Sequence, residues 1–529
     1  MKVDKLHIRS RFKNLEDVTV DFDKNHLMTV VVGRNGSGKS NVLEALVAIF
    51  RNLDLGEAPP FSYELIYRLG EQHQPNHPSD RWLEITIDAD PSRGTLTKQY
   101  DVRVRNLLND DMFDEQPLAI PIPFSKVKRD KSGKAPYLPN YVFAYYSGPS
   151  DRLENHFKKH RTDFYRKLLE DKLDLKGDIR PLFYAKPHHS QFVLLAFFLS
   201  EQDSADKIFL REHLGIEELD SIHFVMRQPG WAKKKEELFW GAYGVVRRFL
   251  DELIKYSLSP VKVTRKEDLS LTGKDIRNEF FHLFLPNVNA LREFAKELSA
   301  DELFKMLEST LLSEIISEVS IRVKVSCSEE PLTFRELSEG EQQLLTVLGL
   351  LKFTGGKDSL FLLDEPDTHL NPSWAVKYLK FLREFVPNHE TSHLLMVTHH
   401  PLAIAELEKE QVQVMKRNNE KQISAKMPDE NPRGMGINLI LRSDMFGLQT
   451  TLDDDTNQRL TNRNALAAKE TLSKEKIVRE QGFHPEDEEQ YLTRLNIELE
   501  HLGFSLATDD PDYLEFLRKK YHAKHEENH

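Results

Sequence analysis

Between positions 33 and 41 the chain reads Gly33-Arg34-Asn35-Gly36-Ser37-Gly38-Lys39-Ser40-Asn41. The first eight residues keep the spacing of a phosphate-binding loop. In such a loop the glycines let successive backbone N–H groups wrap phosphate oxygens, and the following helix N-terminus faces the same anion. Lys39 is placed to hold β and γ phosphates, and Ser40 to offer its hydroxyl to magnesium. With glycine near 7% of residues, such a match arises by chance in about 2 of 100 chains of this length.

Three further clusters could complete a nucleotide site. Residues 360–363 are an apolar run that ends in Asp364-Glu365-Pro366. A buried strand of this kind delivers carboxylates at its C-terminal edge: Asp364 for magnesium, and Glu365 as the general base that polarises an attacking water. Alone, an acidic strand end is common. Leu337-Ser338-Glu339-Gly340-Glu341-Gln342-Gln343 opens an apolar helix, so Ser338, Gly340 and Glu341 stand at a terminus that favours anions. Alone, the same residues read as a plain capping box. Residues 394–397 lead into Thr398-His399-His400-Pro401, where His399 is placed to reach a terminal phosphate.

The elements that must position these groups follow from periodicity. Residues 6–9, 18–22 and 28–32 read as strands, the third buried, and Val42, Leu43, Leu46, Val47 and Phe50 recur at helical spacing after the glycine loop. Strand, loop and helix in immediate succession are the context a phosphate loop requires. Residues 82–89 and 100–104 form an expected hairpin, and 141–146 another strand. From 151 to 320 the texture is charged and mostly helical, with Leu303, Met306, Leu307, Leu311, Leu312, Ile315, Ile316 and Val319 on one apolar face. Strands return at 321–325, 360–363 and 394–397. The last hundred residues are polar and helix-prone, with Leu492, Leu495, Leu499 and Leu502 three or four apart.

Taken in order, the phosphate loop, the Ser-Gly helix start, the acidic strand end and the histidine resemble ABC-type ATPase heads. The branch is that of the structural-maintenance, RecF-like and overcoming-lysogenization-defect ATPases, and the resemblance covers residues 1 to about 150 and 320 to about 410. It implies an α/β fold: a mixed sheet with flanking helices, a mostly helical insertion, and a helical C-terminal tail. The implied divisions are 1–150 and 321–430 for the two lobes of the head, 151–320 for an arm, and 431–529 for the tail. It also implies ATP and magnesium as ligands, and Ser338 and Gly340 acting on the nucleotide of a second head. His399 matches the switch histidine, and Asp367-Thr368-His369-Leu370-Asn371-Pro372 the D-loop segment. Glu339 departs from the glycine of transporter heads. No Q-loop glutamine is evident; Gln191 is a candidate by position that reads better as a helix start.

Composition bounds the rest. The chain has 529 residues, 39% of them apolar, and a net charge of −12. Two or three structural units are expected. The longest apolar run, 192–199, is too short to cross a bilayer, and no signal-peptide pattern opens the chain, so the expected compartment is the cytoplasm. Cys327, the single cysteine, excludes internal disulfides and reads as a small buried strand residue. The acidic balance excludes indiscriminate coating of nucleic acid. Lys126, Lys128, Arg129, Lys131 and Lys134, and separately Lys233 to Lys235, are local clusters that could meet a phosphate backbone, though solvated charge is their more frequent role. No sustained heptads indicate a long coiled coil, and Asp453-Asp454-Asp455, the nearest match to a Toprim metal site, reads as a solvated loop. An ATPase head with no nuclease of its own resembles the ATPase subunits of Septu-type anti-phage systems, with Tyr145-Tyr146-Ser147-Gly148 and Pro432-Arg433-Gly434-Met435-Gly436 as secondary similarities. That resemblance implies paired heads, with assembly into a higher homo-oligomer left open, and a separate HNH nuclease partner gated by ATP. The leucines of the tail would dock that partner, a second head or their own domain. A RecF-like repair clamp and a nucleotide-dependent scaffold without turnover are the competing classes.

Overall fold

The computed structural model describes residues 1–71, 81–108, 118–130, 133–169, 180–201, 203–232, 237–267, 276–418, 422–467 and 488–504. It divides into two compact units, one of Met1–Ile440 with Asp444–Phe446, the other of Leu441–Ser443 with Gly447–His529. The first stretch supplies β1 (Lys2–Ile8), β2 (Val18–Asp21), β3 (Met28–Gly33), α1 (Lys39–Leu55), β4 (Tyr63–Gly70), β5 (Trp82–Ala89), β6 (Tyr100–Asn106), β7 (Ile120–Ile122) and β8 (Tyr141–Tyr146). There follow α2 (Glu154–Leu169), β9 (Leu182–Tyr184), α3 (His189–Leu199), α4 (Ala205–Glu212), β10 (Ile216–Arg227), α5 (Gly244–Tyr256), β11 (Leu258–Glu267), β12 (Ile276–Leu285), α6 (Val288–Phe294), α7 (Ala300–Leu312) and β13 (Ile316–Val325). The head closes with β14 (Leu332–Thr333), α8 (Glu339–Thr354), β15 (Ser359–Asp364), α9 (Pro372–Phe385), β16 (Ser392–Val397), α10 (Pro401–Ile404), β17 (Val412–Arg417) and β18 (Ile423–Lys426).

The central sheet has the order β18-β17-β3-β16-β15-β8-β9, parallel except where β17 meets β18. Its three central strands, β3, β16 and β15, are buried along their whole length because each face has its own core. Met28, Val30 and Val32 pack with Phe361, Leu363, Leu394 and Met396 against α3, α7, α8 and α9. Val31, Leu360, Leu362, Leu395 and Val397 point the other way, onto α1 and the antiparallel sheet β2-β1-β4-β5-β6-β7. Each such side chain contributes about 1.5–3 kcal/mol by leaving water, so polar residues are confined to strand ends or must be fully bonded. Thr29 and His393, buried mid-strand, obey this rule. They bond each other at 3.3 Å, His393 Nδ1 accepts from the Val3 N–H at 2.9 Å, and Thr29 Oγ1 accepts from the Asp23 N–H at 3.0 Å.

The segment expected to be mostly helical holds helices α2 to α7 but also β10, β11, β12 and the start of β13, which with β14 form a five-stranded antiparallel sheet of order β11-β12-β10-β13-β14. The supposed single apolar face from Leu303 to Val319 is broken at Ser313 and Glu314, where Glu314 has a φ of 64°. Before the break the residues lie on α7; after it the β-branched Val319, Ile321, Val323 and Val325 alternate on β13. Cys327 is exposed rather than buried, because β13 ends at Val325 and the chain turns there.

The second unit contains the end of α11 (Ile437–Arg442), α12 (Asp454–Ala467) and α13 (Glu488–His501). Leu495 and Leu499 of the leucine stripe are buried with Tyr491 against Leu466 of α12, whereas Leu502 is exposed. Asp453 is a helix cap and not a free loop: its carboxylate accepts from the Thr456 N–H at 2.9 Å, and Asp454 and Asp455 fill the first turn. No described helix is long and apolar enough to cross a membrane.

Candidate nucleotide site

Four adjacent parallel strands end on one edge of the central sheet. Val31 of β3 is level with Val397 of β16, which pairs with Asp364 of β15, which pairs with Tyr146 of β8. The residues just beyond this row therefore gather at the carboxyl edge, where open parallel sheets bind ligands. Gly33 ends β3 with a φ of 139°, and a Cβ there would lie 2.2 Å from the Met415 carbonyl oxygen, so the close crossing of β17 requires glycine.

A cavity of about 240 Å³ opens above this edge, lined by Asn14, Asn35, Gly36, Gly38, Lys39, Ser40, Asn41, Arg152, Glu365 and His399. Lys39 is buried and donates to the carbonyls of Gly33 at 2.9 Å and Arg34 at 3.1 Å; burial lowers its pKa to about 8. Ser40 Oγ donates to Asp364 Oδ1 at 2.9 Å, which brings the loop serine and the strand carboxylate together across 324 positions of sequence. Asp364 is nearly wholly buried, and desolvation raises its pKa to about 6. The Ser37 hydroxyl is buried without a protein hydrogen-bond partner. These residues fit a magnesium nucleotide: a hydroxyl and a carboxylate side by side for the metal, a lysine within the loop, and an orphaned donor beside it.

Glu365 has a φ of 52°, a strained left-handed conformation for a residue with a side chain. Three bonds hold it there. Its N–H donates to the Val397 carbonyl at 2.8 Å, and its own carbonyl accepts from Thr368 Oγ1 at 2.8 Å and Gln343 Nε2 at 3.4 Å. The strain turns its carboxylate toward His399, whose Nε2 lies 3.2 Å from Glu365 Oε1. Burial lowers the His399 pKa, with Lys39 nearby adding to the effect. Of the two consecutive histidines, His399 lines the cavity; the His400 N–H instead bonds Thr398 Oγ1, which donates to the buried Asp367 at 2.6 Å.

A family model described as "AAA ATPase domain" matches residues 1–185, and one described as "AAA domain, putative AbiEii toxin, Type IV TA system" matches residues 265–405. The Septu protein PtuA of Bacillus mycoides (strain KBAB4) is 27% identical over 208 residues, which is 36% of this chain and 28% of that protein. PtuA of Bacillus thuringiensis is 26% identical over 144 residues, 24% of this chain and 36% of that protein. The chain carries ATPase-domain sequence in these stretches and is similar there to PtuA. The matched stretches span about a third of the length of these curated relatives. The SMC head domain from Thermotoga maritima aligns over 81% of this chain and 100% of that chain at 12% identity and a TM-score of 0.28, a likeness too loose to decide the fold.

The remaining expected residues of the ATPase head lie elsewhere. Arg34 is exposed at the tip of the loop. Ser338 caps α8 in a reciprocal box with Glu341: the Glu341 N–H donates to Ser338 Oγ at 3.3 Å, and the Ser338 N–H to Glu341 Oε2 at 2.6 Å. Ser338 is exposed, and Ser338, Gly340 and Glu341 are not among the residues lining the cavity of their own head. Gly340 is buried; a Cβ on it would lie 2.5 Å from the His369 carbonyl. Gln191 sits in α3, away from the cavity lining. Within the basic loop, Arg129 is already paired with Asp54 at 2.6 Å, while Lys126, Lys128 and Lys134 are exposed. Lys131 and Lys233 to Lys235 lie outside the described residues.

Sequence reasoning missed Arg152 and Asn14. Asn14 Nδ2 donates to the Gly36 carbonyl at 3.1 Å, and its Oδ1 accepts from Asn41 Nδ2 at 2.6 Å, bracing the loop from the turn after β1. Neither residue has a local signature, since each belongs to the site only through the fold.

Proposed function

We propose that this protein hydrolyses ATP at a site shared between two copies of its head. One division carries the proposal: Lys39, Ser40, Glu365 and His399 line a common cavity, while Ser338 and Gly340 stand at a helix start outside it. In this scheme the loop amides and Lys39 bind the β and γ phosphates. Ser40 and Asp364 would hold magnesium, which would supply charge neutralisation at the phosphates. Glu365 takes the proton of the attacking water, and His399 keeps that carboxylate aimed. The Ser338 helix start of the second head presents its partial positive charge to the terminal phosphate. Ser338 and Gly340 would then serve the partner's nucleotide and not their own.

The similarity to PtuA supports placing the chain as the ATPase subunit of a cytoplasmic anti-phage complex. There the nucleotide-dependent head dimer, alone or within a higher homo-oligomer, gates a separate HNH nuclease. A mixing experiment tests both levels. Lys39→Ala and Ser338→Arg should each abolish turnover, with Ser338→Arg still binding ATP. An equal mixture should regain a measurable rate, because a mixed dimer keeps one intact loop facing one intact helix start. Coexpressed with the HNH nuclease expected to accompany it, the mixture should restore phage protection that neither variant provides. Full turnover by Ser338→Arg alone would refute the shared site, and protection without the nuclease would refute the division of labour.

A further inference from the structure

Arg152 lines the nucleotide cavity from the side of β8. Its Nη2 lies 3.3 Å from Asp364 Oδ2, its Nη1 lies 3.5 Å from Asn41 Oδ1, and its guanidinium carbon sits 5.4 Å from the Tyr146 ring centroid. The other oxygen of Asp364 accepts from Ser40. Both oxygens of the carboxylate assigned to magnesium therefore have protein partners, one of them a full positive charge. The backbone beside Arg152 is anchored, because α2 is tied to α1 and the turn after it by His156 to Glu44 at 3.2 Å, Lys159 to Glu57 at 2.5 Å and His160 to Asp54 at 2.8 Å. The Arg152 side chain itself is one-third exposed, with room to change partners while α2 stays in place.

We infer that Arg152 competes with the divalent cation for Asp364 and, once displaced, binds the terminal phosphate of the nucleotide. The inference rests on the cavity being a magnesium–ATP site. Its physical basis is charge balance. A buried carboxylate without a cation is costly, and two cations sharing one carboxylate repel each other, so the arrival of one favours the departure of the other. Phosphate oxygens in the same cavity are the best alternative acceptors for a planar guanidinium. Arg152 thereby couples metal binding to recognition of the third phosphate, acting as a positioning residue at the carboxylate and as a ligand at the phosphate.

The test uses the full chain with Arg152→Ala and Arg152→Lys. Manganese alone, titrated by electron paramagnetic resonance, should bind Arg152→Ala several-fold more tightly than the parent, since a competitor has been removed. In magnesium buffer a fluorescent ATP analogue should bind Arg152→Ala about tenfold or more weakly, the scale of one charge-assisted hydrogen bond, with a smaller loss for the ADP analogue. Arg152→Lys, which keeps the charge, should fall between on both measures; it also serves should the alanine variant fold poorly. A merely structural arginine would not raise manganese affinity and lower ATP affinity together. Unchanged manganese and ATP binding in both variants would overturn the role of Arg152 while leaving the cavity assignment intact. Failure of the parent itself to bind magnesium–ATP would instead sink the cavity assignment.

Discussion

At the scale of single residues, the site concentrates cost where function would need it. Asp364 is held ionisable in a buried position, and Glu365 in a left-handed conformation that costs of order 1–3 kcal/mol. The bonds from Val397, Thr368 and Gln343 offset that strain by over-determining the backbone. Glu365→Gln keeps the shape and the backbone bonds but removes the proposed base. Turnover should fall about 10²–10⁴-fold, the usual contribution of a general base, while ATP binding persists. The head dimer should then accumulate with ATP, visible as a doubled mass in light scattering. A glutamine variant that turns over at the parental rate would exclude Glu365 as the base.

At the scale of elements, a close contact near the site joins α8 to the Asp367–Leu370 stretch. Gly340 of α8 approaches the His369 carbonyl so closely that no Cβ fits, the His369 N–H donates to Gln343 Oε1 at 3.1 Å, and His369 Nδ1 lies 3.3 Å from Glu339. Gln343 in turn donates to the Glu365 carbonyl. The helix start is thus mechanically linked to Glu365, the proposed base. Gly340→Ala separates two opposing effects. Alanine improves helix propensity by about 1 kcal/mol, whereas overpacking against a fixed carbonyl costs about 1–3 kcal/mol. The contact should win: thermal melting should show net destabilisation, and turnover should drop more than ATP binding. Net stabilisation with unchanged turnover would mean that the contact is soft. The same scale explains why the antiparallel sheet of the insertion was illegible. Its strands β11 and β13 carry Lys262, Arg265, Arg322 and Lys324 among their apolar residues, and such charge density resembles a solvated helix until cross-strand partners are known.

At the scale of the whole molecule, two cores sandwich the parallel sheet and force several titratable groups inside. His393 and His189 are fully buried, and burial holds their pKa values well below 6.5; each accepts a backbone N–H at Nδ1, from Val3 and Lys186. A folded pKa below the unfolded one means that the contribution is complete above about pH 6.5 and is lost as the pH falls. Asp364 and Asp4, both raised to about 6 by desolvation, act oppositely: their ionisation costs stability above that pH and the cost disappears below pH 4. The histidine effect should be read as a difference between variant and parent, in which the carboxylate contributions cancel. His393→Gln should gain on the parent as pH falls from 7 to 5, by up to about 1.4 kcal/mol per unit, in urea midpoints. A pH-independent difference would show that His393 does not titrate with folding. What the amino-acid order determined by itself was local: the glycine loop between a buried strand and an apolar helix, the acidic end of β15, the capped start of α8, and the histidine after β16. Each is written within ten or so neighbouring residues, because hydrogen-bonding geometry and hydrophobic period act at that range. The tertiary structure alone decided which of these meet. Parallel register aligned β3, β16, β15 and β8, set Ser40 against Asp364, and drew in Arg152 from 212 positions away. It also left the α8 start outside the cavity, since chain packing, unlike motif spacing, is fixed by burying apolar faces that no short window reveals.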